Sequence, residues 1–443
     1  MKRTLILFPV ILLLISTAAT AQTSKPWPKT LLWRISGNGL KGNSYLFGTM
    51  HLEDKRIFNF TDSLYQYLEQ ADGYAMEVDL QEFADSVFQK VLDQREDEII
   101  DEKRLAKKSD KTKIIDSLMD NVLTKNDKAS KKQLELIRKY KTHSLTKHHE
   151  MPTIMDAYLY GIARREGKWV GGIEDIQDQL FLFDELGRNM THKEFSASDD
   201  ETSATLEKMI SIYQANDLEQ VEKFSLHDTP TEWEDKLLTK RNIKMAARMD
   251  SLSAIRKMFF AVGAAHLPGQ GGVINLLRKK GFSVDPVFST TTIDPVKYSA
   301  HLNSIPWIKA EDEAKTYQVE MPGKPSDLNM FNNFIKMKLY VDISTMTYFL
   351  SGSVIAAASV DMTKITDALS KNTDATIFNK RIIDKDDVKG IECVMTTGGY
   401  FYKVQYLYRD NRLFIMMAGG ETIEKTETPD VNKFFNSMVI NKA

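Results

Sequence analysis

The chain has 443 residues, 42% hydrophobic and 27% charged, with a formal net charge of -2. That is apolar material for sizeable cores and too much length for one ordinary domain, so two or three are expected. The near-neutral balance, with no long basic run, argues against a nucleic-acid partner, and the single cysteine, Cys393, excludes an internal disulfide.

Lys2 and Arg3 precede the apolar run Leu5 to Ile15, and Ala19-Thr20-Ala21 is a small-x-small cleavage site. This pattern predicts a secretory signal peptide over residues 1–21. The run is too short to span a bilayer, and Pro9 interrupts it. The mature protein is therefore expected to be periplasmic or secreted, with no stable membrane anchor after cleavage.

An α/β domain is expected over 22–290. Leu31 to Ile35 reads as a strand, and the glycine-rich Ser36 to Asn43 as a hairpin connection. The apolar strand Tyr45-Leu46-Phe47 follows and ends Gly48-Thr49-Met50-His51. Thr61-Asp62-Ser63 opens a helix. Tyr74 to Asp79 is a further strand with Glu77 inside a buried-looking run. Residues 81–150 are charged and helical in pattern, an insert expected to cover a cleft. His148-His149-Glu150 lies at its end, but adjacent side chains point apart and rarely ligate together. Met155 to Arg165 is a helix. Lys168 to Glu174 is a strand whose final acid echoes Glu77.

A helix over Leu237 to Met249 carries Arg241. Met258 to Val262 is apolar, and Gly263-Ala264-Ala265-His266 repeats the first Gly-x-x-His ending. The turn Pro268 to Gly272 leads into the helix Val273 to Lys280, and Phe282 begins a strand. Residues 291–314 read as a linker. Beyond it, over 315–443, the pattern is that of a smaller α+β domain with an antiparallel sheet. Helices are expected there at Ser326 to Phe334, Asp361 to Leu369 and Val431 to Met438. The expected fold class is thus α/β with a helical insert, followed by the α+β domain, and the doubled Gly-x-x-His suggests two halves that each deliver one imidazole to a shared site.

The doubled Gly-x-x-His carries the chemistry. Imidazole is the commonest protein ligand for transition metals, and a divalent ion also needs negative charge, which Glu77 and Glu174 supply. Two histidines and a carboxylate leave positions for water and substrate. Metal ligation is expected from His51 and His266 together with Glu77, Glu174 or both. Glu77 and Glu174 are candidate catalytic acids or bases, and Arg241 could steady a carbonyl or carboxylate. Free N–H groups in the turn after His266 could hold an oxyanion. The plain alternative makes each Gly-x-x-His an ordinary turn with a locally bonded histidine. There is no His-Glu-x-x-His and no Gly-x-Ser-x-Gly. Gly269-Gln270-Gly271 is too weak a start for a dinucleotide site.

The set Tyr45 to His51, Met76-Glu77, Gly172-Ile173-Glu174, Arg241-Asn242 and Val262 to Gly269 resembles the TraB/GumN family. That family is related to the Tiki metalloproteases and more distantly to the erythromycin esterases. The resemblance covers roughly residues 30–288. Asp175 departs from it, standing where many relatives carry threonine. The resemblance implies a mixed α/β fold, a mixed sheet with two pseudo-symmetric halves, and, in the Tiki relatives, Mn²⁺- or Co²⁺-dependent peptide cleavage; Zn²⁺ is a third option for the ion of this chain. It also implies His51, Glu77 and His266 as metal or catalytic residues, supported by Glu174 and Arg241. The C-terminal domain resembles PsbP-like modules in its Pro322 to Pro325 start and its Asn432 to Ser437 end, and it holds no catalytic constellation. The functional expectation is an exported metal-dependent hydrolase, a peptidase, acting on a peptide or small-molecule substrate. The alternative is a non-catalytic peptide-, metal- or haem-binding protein of the same fold.

Overall fold

The structure is a computed structural model. It describes residues 26–86, 89, 151, 153–178, 199–226, 238–300, 306–330, 335–356, 375–385, 387–397 and 399–441. The expected signal peptide, nearly all of the insert, His148-His149-Glu150 and the helix expected at Asp361 to Leu369 lie outside these residues.

Six strands form the first sheet: β1 (Leu32–Gly37), β2 (Ser44–Thr49), β3 (Gly73–Met76), β4 (Trp169–Gly172), β5 (Met258–Gly263) and β6 (Phe282–Pro286). Their order is β4-β3-β5-β2-β1-β6. β1 and β2 make the expected antiparallel hairpin. Gly37, Asn38 and Gly39 turn it at positive φ, a conformation glycine takes without strain and asparagine tolerates. β2, β5, β3 and β4 are parallel neighbours. β5 is buried along its apolar run, as a central parallel strand covered on both faces must be. Each of its fully buried phenylalanines, Phe259 and Phe260, contributes about 1.5–3 kcal/mol.

Helices α1 (Asp62–Gln70), α2 (Met155–Arg165), α3 (Asp199–Gln214), α4 (Leu218–Leu226), α5 (Lys240–Ile255) and α6 (Val273–Lys279) accompany this sheet. Leu64, Leu159, Ile210, Met245 and Ile274 bring five of them into one core with the strands. β5, from the second Gly-x-x-His segment, lies between β2 and β3 of the first. The two segments interleave, so the strand order does not display two halves side by side.

Part of the stretch expected as linker is regular, with α7 (Pro295–Ala300) and β7 (Ile308–Glu311). The C-terminal module continues with β8 (Tyr317–Met321), β9 (Ser326–Met330), β10 (Ile335–Asp342), β11 (Thr347–Ile355), β12 (Thr376–Lys385), β13 (Val388–Thr397), β14 (Tyr400–Arg409), β15 (Arg412–Gly420), α8 (Pro429–Asn436) and β16 (Val439–Ile440). Its seven-stranded sheet runs β12-β13-β14-β15-β11-β10-β9, and its three-stranded sheet runs β16-β8-β7. Neighbours pair antiparallel in both.

Alternate residues of β15 face opposite sides. Phe414, Met416 and Ala418 pack with Phe434 and Phe435 of α8, while Leu413 and Ile415 pack with Cys393. Cys393 is core, and burial pushes its thiol up to about 11. The described part of the helix expected at Ser326 to Phe334 is instead strand β9, because the backbone of Ser326–Met330 pairs along β10 from Ile335↔Met330 to Leu339↔Ser326; residues 331–334 lie outside the described residues. Tertiary pairing overrides a weak local pattern there.

Candidate functional site

All four parallel strands end at the same edge of the sheet, where α/β proteins gather ligands. His51 follows β2, Glu77 follows β3, Glu174 follows β4 and His266 follows β5. Each therefore stands just beyond the C-terminal end of an apolar strand. β2 and β5 lie side by side with Thr49 opposite Gly263, which puts the two histidine turns next to each other. Gly48 permits this approach: a Cβ there would lie 3.1 Å from Leu267 Cδ2 and 3.2 Å from Ala264.

Glu77 is the centre. Its Oε1 accepts the Gly263 N–H at 2.7 Å. His51 Nε2 lies 3.7 Å and His266 Nε2 3.5 Å from that same oxygen. Its Oε2 accepts from Arg241 Nη2 at 2.7 Å. Arg241, on α5, also grips Glu174 through Nε (2.9 Å) and Nη2 (2.7 Å). Glu174, with 2% of its side chain exposed, is turned into the protein against Arg241. Arg241 is thus an anchor for two of the chain's own carboxylates.

Both imidazoles are fixed from behind. His51 Nδ1 donates to Asp156 Oδ2 at 2.7 Å, while Asp156 Oδ1 accepts from Thr49 Oγ1 at 2.7 Å. His266 Nδ1 donates to Asn242 Oδ1 at 2.6 Å, and Asn242 Nδ2 donates to the Gly271 carbonyl at 2.9 Å. Such partners set which ring nitrogen carries the proton and leave Nε2 facing the site. Asp156, Asn242 and Thr49 are missing from the candidates named from sequence. Asp156 had a signal: it is an acid in the first turn of the apolar helix α2, with Met155, Ala157 and Tyr158 around it.

The electrostatics differ between the two histidines. His51 has 53% of its side chain exposed. The Asp156 carboxylate beside it holds its imidazole well above the ordinary histidine range, against the partial desolvation of the ring. His266 is buried, and that burial pushes it down to about 4. Burial also works against the Glu77 carboxylate, yet the neighbouring imidazoles and Arg241 hold it well below the usual range.

Among the described residues, no three or more His, Cys, Asp or Glu side chains form a group able to hold a metal ion as they stand. His51, Glu77 and His266 are converging donors and not a preformed cage. Their chemistry nonetheless fits a divalent ion. A neutral His266 directs its Nε2 lone pair at a carboxylate oxygen, so two acceptors face each other and a cation satisfies both. Two ligands of one ion, each about 2.0–2.2 Å from it, stand roughly 3–4 Å apart, the range of the two Nε2–Oε1 separations. The space is kept by Gly263, where a Cβ would lie 3.1 Å from Glu77 Oε1, 3.5 Å from His266 Cδ2 and 3.6 Å from His51 Nε2. The turn after His266 offers less for an oxyanion, because the Gly272 and Ile274 N–H groups bond to the Gly269 and Leu267 carbonyls.

The chain is 24% identical over 206 residues to metalloprotease TIKI2 of Xenopus tropicalis, covering 39% of each. It is 24% identical over 165 residues to metalloprotease TIKI2 of Danio rerio, covering 30% of this chain and 32% of that one. The matches thus span well under half the length of these relatives. A solution structure of cyanobacterial PsbP from Synechocystis matches 30% of this chain and 92% of its own, at 11% identity and a TM-score of 0.25. The TraB/PrgY/gumN family model matches residues 31–286, a span that includes β1 to β6 and every residue of the site. The chain belongs to the TraB/PrgY/gumN family.

Proposed function

We propose that the protein is an exported metal-dependent hydrolase that cleaves peptide bonds, with His51, Glu77 and His266 holding the divalent ion. The observation that carries this reading is the convergence of both Nε2 atoms on Glu77 Oε1, each ring being fixed at Nδ1 by Asp156 or Asn242. The similarity to two metalloproteases supports the reaction class. The basic and apolar start, Lys2 to Ile15, supports export. Among the described residues no helix is long and apolar enough to cross a membrane.

A bound divalent ion supplies Lewis acidity towards water and a carbonyl oxygen. The chain's own residues do the rest. Asp156 and Asn242 orient the two imidazoles. Arg241 holds Glu77 and Glu174 in place and offsets their charge. Glu77, flanked by both histidines and kept ionised by them and by Arg241, would supply the negative charge that a divalent ion needs. His51, the exposed histidine, is placed to meet substrate.

The test is cleavage of a mixed peptide library by the mature protein, read by mass spectrometry with EDTA, Mn²⁺, Co²⁺ or Zn²⁺. Metal-dependent cutting that falls at least about 10²-fold in His51→Ala and in His266→Ala, with the fold intact, is the expected result. Full cutting in both variants would refute the assignment.

A second reading has its own observation, the half-exposed His51 backed by a buried carboxylate at 2.7 Å. Such a pair can transfer protons without a metal. Cutting that resists EDTA but disappears in His51→Ala would favour it.

A further inference from the structure

Helix α2 is shared between the two bodies of the protein. Met155, Leu159 and Ile162 pack into the core of the six-stranded sheet. Thr153, just before the helix, and Ala157 and Gly161 on it are spaced four apart and meet the C-terminal module. Thr153 Oγ1 donates to the Ile343 carbonyl at 2.8 Å. Ala157 is buried with Leu328, Leu339, Val341 and Ile343. A Cβ on Gly161 would lie 2.6 Å from Ser344 Cβ, so the helix backbone rests directly on the turn between β10 and β11. The segment after β3 is gripped as well. Ser326 Oγ donates to Asp85 Oδ2, and the Gln89 side-chain amide pairs with both the carbonyl (2.8 Å) and the N–H (3.1 Å) of Asn329.

Asp156 sits on α2 next to Ala157, and its carboxylate orients His51. We propose that the C-terminal module is a positioning body: by docking on the Thr153–Ala157–Gly161 face it holds α2 in the register that places Asp156 on His51 Nδ1. This deepens the reading above and rests on it for the role of His51. A hydrogen bond near 2.7 Å loses most of its strength when the partner moves by about 1 Å. A misplacement of that size at a reacting group lowers rate about 10²-fold. The module therefore acts through Asp156, and Asp156 acts through His51; both are positioning parts.

The test uses the full chain without metal and follows the hydrogen-bonded Nδ1 proton of His51 by NMR, assigned with His51→Gln and abolished as a reference by Asp156→Ala. Gly161→Ala pushes Ser344 away, and Gly161→Ala/Ser344→Gly restores the room. The exposed Ile382→Ser on β12 is the control. The Nδ1 proton is expected to exchange about tenfold faster or more in Gly161→Ala, and to recover in the double variant and the control. A proton unchanged in Gly161→Ala, or still lost in the double variant, overturns the proposal. Should Gly161→Ala fail to fold, Thr153→Val is read the same way. Peptide cutting is recorded beside it. If wild type cuts nothing, the peptidase reading fails while the Nδ1 proton still decides this proposal.

Discussion

At the scale of single residues, His51 and His266 differ in charge preference despite equivalent places in the chain. His51 is raised by Asp156, and its contribution to stability is present below pH 6.5 and lost as pH rises through its folded value. His266 is lowered to about 4 by burial. In the window from 6.5 down to 4 the unfolded chain takes up a proton that the folded chain refuses, so stability falls as pH falls, by up to about 3 kcal/mol. The two effects oppose each other and place a stability maximum near pH 6.5 for this pair. Urea unfolding in EDTA at pH 5, 6.5 and 8 measures it, and His266→Gln should flatten the acid limb. Gly263 allows a second test at this scale. Its φ of -51° suits alanine, but a Cβ would enter the space between Glu77 and both histidines. Gly263→Ala should change stability by no more than about 1 kcal/mol and reduce cutting about 10²-fold; wild-type cutting would show that this space is not used.

At the scale of elements, the site depends on how closely the end of β2 meets the turn Ala264–His266. Tyr213 of α3 donates to the Gly48 carbonyl at 2.7 Å and holds the end of β2, while Ala264 and Leu267 press on Gly48 itself. A larger side chain has no room without moving one histidine turn from the other. Gly48→Val is expected to lower stability by about 1–3 kcal/mol through overpacking, measured by denaturant midpoint, and to weaken metal uptake in parallel. Loss of stability without any change in metal uptake would mean that the spacing of the two turns is not critical. The element-scale picture also explains why β4 matters although it carries no histidine. The Glu174 N–H bonds to the Glu77 carbonyl at 2.8 Å, so β4 fixes both the Arg241 partner and the backbone of the central acid.

At the scale of the whole molecule, the six-stranded sheet and the C-terminal sheets have separate cores and meet at α2 and at the segment after β3. The C-terminal module has its own aromatic centre, in which Phe434 lies 5.4 Å from Phe349 and 5.3 Å from Phe435, centroid to centroid. Phe434 is fully buried, so Phe434→Ala should remove about 3–5 kcal/mol from that body. Urea unfolding followed by near-ultraviolet circular dichroism measures the loss. If the module positions α2, cutting should fail at the urea concentration where this variant loses its C-terminal body. Cutting that persists to the later unfolding of the six-stranded sheet would mean that the two bodies work independently.

The sequence by itself located the strands that lead to the site, although it ran two of them on to Asp79 and Glu174 where β3 and β4 end at Met76 and Gly172. Gly48 to His51, Glu77, Glu174 and Gly263 to His266 each follow an apolar run, and an apolar run ending in glycine or an acid is readable because burial and turn chemistry are local. It did not reveal that β5 lies between β2 and β3, nor that Ser326 to Met330 is a strand, because strand order and edge pairing are set by distant partners. Arg241 was legible as a charged residue near the site, but its engagement with Glu77 and Glu174 was not. Asp156 and Asn242 were hidden for the same reason. A carboxylate on a helix 105 residues from its histidine is, in sequence, only an acid near a helix start. Only the tertiary structure decides which imidazole it meets, because a hydrogen bond depends on position in space and leaves no periodic trace along the chain.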